Sequence, residues 1–489
     1  MRYVFAVVLA VFLSFLAPFV ALAVIPSLTL GDSGSDVTAL QSALISKGYL
    51  ARGNAIGYFG TKTDAALKKF QCAQKIACNA SVEGYGVYGP ATQAALQIAL
   101  APTQPATISG GTTGRATGAF EISGWLPGWR TASSTADVLP HLSQMKSVMP
   151  FGYNVNADGT IQDKYDFTAK PWKNFIAAAK AAHVRVIPSV VWGSGTEIQA
   201  VLSDATKRVA LEDTIAALVK KNGFDGIDID FEAKKSETIN YFSTFLKGLY
   251  QRLGTKWLYC TVEARAPLED RYSPGATIPP DATQFANDYT QMNKYCDRIE
   301  IMAYDQGTVD VRLNTARSAP YAPVADPGWV ETVATLASQS ISKNKLIIGI
   351  PTYGYEYTVT PLPGGGQQYK MLWPFNPVYA TDIAQKLGIT ARRTSANELG
   401  FTYDPKALAQ VAPANGDSTQ TQQQVIPATS VAQNLGTQVD TTQPYNYMTW
   451  SDVTAIADKV ALAHKLGVRG VAIFSLGGAE DQAMWSVLK

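Results

Sequence analysis

From Phe120 to the end of the chain, short apolar runs alternate with helical patterns, and no other feature constrains the fold as strongly. Strands are expected near Glu121–Trp125, Ser147–Gly152, Arg185–Val191, Gly226–Phe231, Leu258–Ala264, Arg298–Tyr304, Leu346–Thr352 and Gly470–Leu476. Helical patterns fall between them, among them Trp172–His183, Lys207–Asn222, Ser236–Leu253, Gln284–Tyr295, Trp329–Ile341 and Val453–Leu466. Strand alternating with helix implies a parallel sheet. Eight such strands in roughly 370 residues imply an α/β fold of the (β/α)8 TIM-barrel type with insertions. A doubly wound open sheet is the alternative. Tyr353 to Tyr447, between the seventh and eighth strands, is too long for a loop. Tyr355–Val359, Gly400–Asp404 and Tyr445–Trp450 read as antiparallel strands of a small α+β insertion (about 354–447) on the barrel rim. Gln410–Gln443, rich in Gln, Thr and Ala, is expected to be mobile.

The 489 residues suffice for one large domain and an accessory module. A formal net charge of +2 without a long basic run gives no electrostatic reason for a nucleic-acid partner. Arg2, the apolar run Val4–Val20 and Ala21-Leu22-Ala23 read as a signal peptide (1–23). Cleavage after Ala23 would release a secreted or wall-associated protein, whereas retention would leave a membrane anchor. Residues 26–100 form a small all-α module with an internal echo, Tyr58–Leu67 matching Val87–Leu96. Within it Ser35-Asp36 caps a helix bearing Val37, Leu40, Leu44 and Ile45 at helical spacing. Residues 101–117 read as a flexible linker and 118–489 as the barrel. Cys72 and Cys78 are close enough for a local disulfide, while Cys260 and Cys296 are either a second pair or two buried thiols. Without a Cys-x-x-Cys pattern, and with three histidines (His141, His183 and His464, read as structural), a zinc site is disfavoured. No metal or cofactor is expected, and a monomer is.

The segment Phe224-Asp-Gly-Ile-Asp-Ile-Asp-Phe-Glu232 carries the chemistry. Side chains alternate across a strand, so Asp228, Asp230 and Glu232 share one face and Ile227, Ile229 and Phe231 the other. In a barrel the apolar set meets the helices and the acids face inward. Three converging carboxylates lose hydration and repel, at several kcal/mol per uncompensated charge. A purely structural role would need three neutralising partners, and a hard cation such as Ca2+ or Mg2+ would also suit the stack. Acid catalysis explains it better, because shared protons push the outermost acid's pKa upward. Glu232 ends the strand, where barrel active sites lie. Trp125, Trp129, Trp192, Tyr353 and Trp373, at or after strand ends, suit sugar stacking or core packing equally.

Asp225-x-x-Asp228-x-Asp230-x-Glu232 resembles the motif of glycoside hydrolase family 18, the chitinase-like barrel. Met302-Ala-Tyr-Asp305 matches that family's Met-x-Tyr-Asp, and the insertion ending in Met448–Asp452 resembles its insertion domain. The resemblance covers roughly Phe120 to Lys489. It implies that Glu232 protonates the glycosidic oxygen and that Asp230 orients an attacking N-acetyl group. Asp228 would then hold Asp230 and share its proton, with Tyr304 bonding the acetamido oxygen. Configuration would be retained by substrate-assisted catalysis. Asp305, Asp225, Trp125, Trp192, Tyr353 and Phe474 are the expected substrate-binding residues. Leu30–Gln41, Gly57–Gly60, Phe70-Gln71 and Tyr88–Thr92 resemble the type-1 peptidoglycan-binding module, though Cys72 to Gly86 is longer than the usual pattern. Two departures point away from chitin. The third strand, Val186–Trp192, lacks Ser-x-Gly-Gly, and Phe474 stands where a Trp is common. The expected activity is cleavage of β-1,4-linked N-acetylglucosamine in peptidoglycan. The alternatives are a chitinase and a non-catalytic glycan-binding barrel.

Overall fold

The computed structural model describes residues 27–30, 35–51, 59–82, 84–96, 118–363, 365–411 and 440–489. The signal segment, the linker and most of the Gln-rich stretch lie outside these. The chain divides into two units, with the break between Ser109 and Gly110.

The first unit contains helices Ser35–Ser46, Thr61–Ala73 and Pro90–Leu96, and an antiparallel bridge joins Leu28 to Tyr88. Val37, Leu40 and Leu44, on one helix face, bury against Phe59, Leu67, Phe70 and Tyr88. Gln71 is buried with them. Its amide donates to the carbonyls of Gly84 (2.9 Å) and Val87 (2.8 Å) and accepts from the Gly86 N–H (2.8 Å). One side chain thus supplies hydrogen bonds that an irregular turn would otherwise leave unmade. Cys72 and Cys78 are bonded, as the spacing suggests.

In the second unit eight strands close into a parallel barrel. They are Glu121–Pro127, Ser147–Val155, Ser189–Trp192, Gly226–Phe231, Trp257–Glu263, Arg298–Met302, Leu346–Pro351 and Gly470–Phe474. Each pairs with the next, and the first pairs with both the second and the eighth, so the ring of eight closes on itself. The open-sheet alternative is thereby removed. The third expected strand is divided, because Pro188 between Arg185–Val186 and Ser189–Trp192 lacks an N–H for the ladder. Ile227, Ile229 and Phe231 face the helices as their alternation requires, and Phe231 stacks on Phe245 of helix Ile239–Leu253 at 5.4 Å.

The barrel interior is filled from below. Arg298 makes two hydrogen bonds to Glu121 (2.8 and 2.6 Å), and the Arg185 and Arg298 guanidiniums lie 3.8 and 4.9 Å from the Trp257 ring. Another interior cluster comprises Trp125, Met149, Ile187, Tyr259, Ile347 and Ala472. The site above therefore has a floor rather than a channel. Cys260 and Cys296 are bonded, tying the fifth strand to the residues ahead of the sixth.

The insertion is a five-stranded antiparallel sheet in the order Gln367–Phe375, Gly354–Pro361, Tyr445–Trp450, Leu399–Tyr403, Arg392–Arg393. Helix Pro377–Leu387 packs on it through Ile383 and Leu387 against Phe375, Phe401 and Trp450. The strand Gln367–Phe375 and this helix were not anticipated.

Candidate active site

The fourth strand aims Asp228, Asp230 and Glu232 into the barrel at rising heights. Asp228, lowest and fully buried, is held from three sides. Ser189 Oγ (2.7 Å) and Trp125 Nε1 (3.1 Å) donate to one oxygen and Thr261 Oγ1 (2.9 Å) to the other. These donors come from the third, first and fifth strands. Burial raises the pKa of Asp228, and the three hydrogen bonds oppose that rise. Asp230, nearly as buried, has an oxygen, Oδ1, with no partner among the described residues. Burial, and then the charges of Asp228 and Glu232, hold Asp230 well above the carboxylate range. Two neighbouring acids in such a place cannot both ionise, so they titrate as a unit. Asp228, with three donors, is suited to the charge, and Asp230 to the proton.

Glu232 is half-buried. Burial and then Glu263 raise its pKa, while Lys234 and a hydrogen bond from Asp230 work against them. Glu263, at the end of the fifth strand, accepts from the Ala233 N–H (3.0 Å) and from Asn287 Nδ2 (2.8 Å). Ala233 is in the left-handed region at φ 53°, an unfavourable conformation for a residue with a Cβ. The Glu263 hydrogen bond holds that turn just after Glu232. The buried ammonium of Lys234 donates to the Phe231 carbonyl and stands 3.5 Å from Glu263.

Opposite the acids lies an aromatic wall. Tyr304 stacks on Phe474 at 5.4 Å and meets the edge of Tyr353 at 6.3 Å. Tyr353 and Tyr355 both donate to Asp305 Oδ1, the latter at 2.7 Å. Burial, and then Asp230, keep the Tyr304 hydroxyl protonated. Gly349 leaves room for this ring, since a Cβ there would stand 2.8 Å from it and 2.6 Å from the Ile301 carbonyl.

The structure thus brings Asp228, Asp230, Glu232, Tyr304, Asp305, Tyr353 and Phe474 together and corrects three expectations. Asp225 lies one residue before the fourth strand and accepts from the Val186 N–H (2.9 Å), at the end away from the mouth. Trp125 is 1% exposed, covered by Phe474, and serves as a donor to Asp228 instead of a sugar platform. Trp192 faces outward against Phe231 and donates to Glu197 (3.0 Å). Three relevant residues went unread. Glu263 and Glu300 were visible in principle, since the same alternation points both inward from their strands. Lys234 carries no such signal and reads as a surface cation. Glu300 is fully buried, with Oε2 unpartnered among the described residues, and burial and then Asp228 hold it well above its usual range.

A closed (β/α)8 barrel with stacked, proton-sharing acids at the carboxyl end of one strand and an aromatic wall facing them defines a class, the barrel glycosidases. The chain belongs to glycosyl hydrolases family 18, whose family model matches residues 122–479. Residues 33–96 match a second family, described as "Putative peptidoglycan binding domain". Among curated proteins the chain is similar to the "Uncharacterized glycosylase YvbX" of Bacillus subtilis, 29% identical over 32% of this chain and 42% of that protein. It is also similar to the "Putative sporulation-specific glycosylase YdhD" of the same organism, 27% identical over 47% of this chain and 50% of that one. It therefore spans half or less of these relatives. Among solved structures, the spore cortex-lytic enzyme SleL of Bacillus cereus shares the fold, with a TM-score of 0.54 over 77% of this chain and 74% of that chain, at 17% identity.

Proposed function

We propose that the protein is an exported hydrolase that cleaves β-1,4-linked N-acetylglucosamine in bacterial peptidoglycan with retention of configuration. The reaction rests on one observation, the three carboxyl groups stacked up the fourth strand and ending in the half-buried Glu232. The substrate is inferred from the match at residues 33–96.

In this reading Glu232 gives its proton to the glycosidic oxygen as the sugar's own acetamido oxygen attacks its anomeric carbon and the glycosidic bond breaks. The resulting oxazolinium ion is positive. Asp230 would pass its proton down to Asp228 as the ion forms, and so become the anion and hydrogen-bond acceptor that stabilises it. Tyr304 donates to the acetamido oxygen, and Phe474 gives the sugar an apolar face. Glu232, now ionised, takes a proton from the water that opens the ion. Two inversions at one carbon leave its configuration unchanged.

Mass spectrometry of products from purified peptidoglycan and, separately, from chito-oligosaccharides tests the proposal, with Glu232→Gln alongside. New N-acetylglucosamine reducing ends from peptidoglycan, absent with the variant, are expected. Cleavage of chitin alone would make the protein a chitinase. Binding without cleavage of either would make it a glycan-binding barrel. Proton NMR of early product reads the anomer, and an inverted one would overturn the mechanism.

A further inference from the structure

The barrel mouth is acidic, with Glu232, Glu263 and Asp305 around it, and a substrate bearing carboxylates would be repelled unless a cation met it. Lys234 cannot, because its side chain is fully buried and engaged with Phe231 and Glu263. Arg312 is already committed to Asp270 (3.2 Å) and Asp310 (3.3 Å). Two other arginines lie on the segment that follows the fifth strand. Arg265, two residues beyond Glu263, lies with its guanidinium 3.6 Å from the centre of the Phe285 ring and 4.2 Å from that of Tyr289. Arg271 approaches Phe285 at 5.9 Å. Among the described residues no carboxylate lies within ion-pair distance of either. Arg265 donates to the Asn287 carbonyl (2.8 Å), and the Asn287 side chain donates to Glu263 (2.8 Å). Asn287 therefore links the arginine to the carboxylate beside Glu232. Arg271 donates to the Ala282 carbonyl, and its Nε is buried without a partner.

Asp288 and Glu263 reach Arg265 only at a distance, and two half-buried guanidiniums without a directly bonded carboxylate are costly unless something supplies one. A guanidinium beside an aromatic ring that uses one N–H on a carbonyl still has donors left for the paired hydrogen bonds a carboxylate accepts. We propose that Arg265 and Arg271 bind a carboxylate carried by the glycan, which would favour muramic-acid-containing chains over neutral chitin. This rests on the peptidoglycan reading above and names the feature that selects the substrate within it. The carboxylate is either the lactyl group of a peptide-free muramic residue or one on the stem peptide, where the lactyl group is itself amide-bonded.

The test compares kcat/KM on peptide-free glycan strands, peptide-bearing strands and neutral chito-oligosaccharides of matched length. Wild type, Arg265→Gln and Arg271→Gln are measured as the full chain, with thermal unfolding as a check on folding. The ratio of charged to neutral kcat/KM should fall roughly 10- to 100-fold in the variants. A fall confined to peptide-free strands identifies the lactyl carboxylate, and one confined to peptide-bearing strands the stem. A methyl-esterified strand should lower wild type toward the variants. Equal losses on charged and neutral substrates in both variants would overturn the inference and leave the arginines a loop support. Failure of wild type to cleave any muramic strand would instead overturn the peptidoglycan reading itself.

Discussion

Glu232 holds its proton to a higher pH than an exposed glutamate does, because burial and the neighbouring Glu263 both disfavour its anion. A general acid works only while protonated, so rate falls as pH rises through its pKa. The falling limb of the kcat/KM profile should therefore lie above the ordinary carboxylate range. Glu263→Gln removes the second cause and should move that limb to lower pH. A profile on a soluble chito-oligosaccharide reads the shift, and an unmoved limb would assign the whole rise to burial. Glu232→Gln keeps the shape but has no proton to give, and a loss of roughly 10²- to 10⁴-fold in kcat is expected.

Elements place these residues, and two of them make separate predictions. On the seventh strand, Gly349→Ala puts a methyl against the Ile301 carbonyl and the Tyr304 ring. Overpacking of this kind costs about 1–3 kcal/mol. Lower thermal stability is expected, with a fall in kcat that exceeds any rise in KM. The Cys260–Cys296 bond closes a separation of 36 residues between the fifth and sixth strands. Loop entropy alone gives it about 4 kcal/mol, and denaturant unfolding of Cys260→Ser against wild type measures this. The barrel strands were legible because fully buried parallel strands read as near-continuous apolar runs. Gly226–Phe231 has the boundaries its residues suggest. The strand Gln367–Phe375 was not legible, since it lies at a sheet edge with Met371 and Trp373 exposed and buries no alternating face. Two of the three corrected residues share a different cause, which is parity. Asp225 is an odd number of positions from Asp228, so it cannot share that face. Trp192 has the parity of the outward Val190. Trp125 has inward parity but lies beneath the mouth, and the height of a residue within a barrel follows from register, which no single strand reveals.

At the scale of the molecule, each unit has its own buried core and its own disulfide. A chain beginning at Gly110 should hydrolyse soluble oligomers at the full-length rate yet sediment less with insoluble peptidoglycan. Equal sedimentation would reduce the first unit to a passive appendage. Activity should survive EDTA, and its abolition would instead mean that the stacked acids hold a metal ion. The three donors on Asp228 come from three strands of one closed ring, and this bears on how such a protein can change. A shift in register at any of those strands would strip the lowest acid of a partner and disturb the proton it shares with the one above. Descendants that keep the chemistry must therefore keep the staves, and novelty in diet is left to the segments that join them.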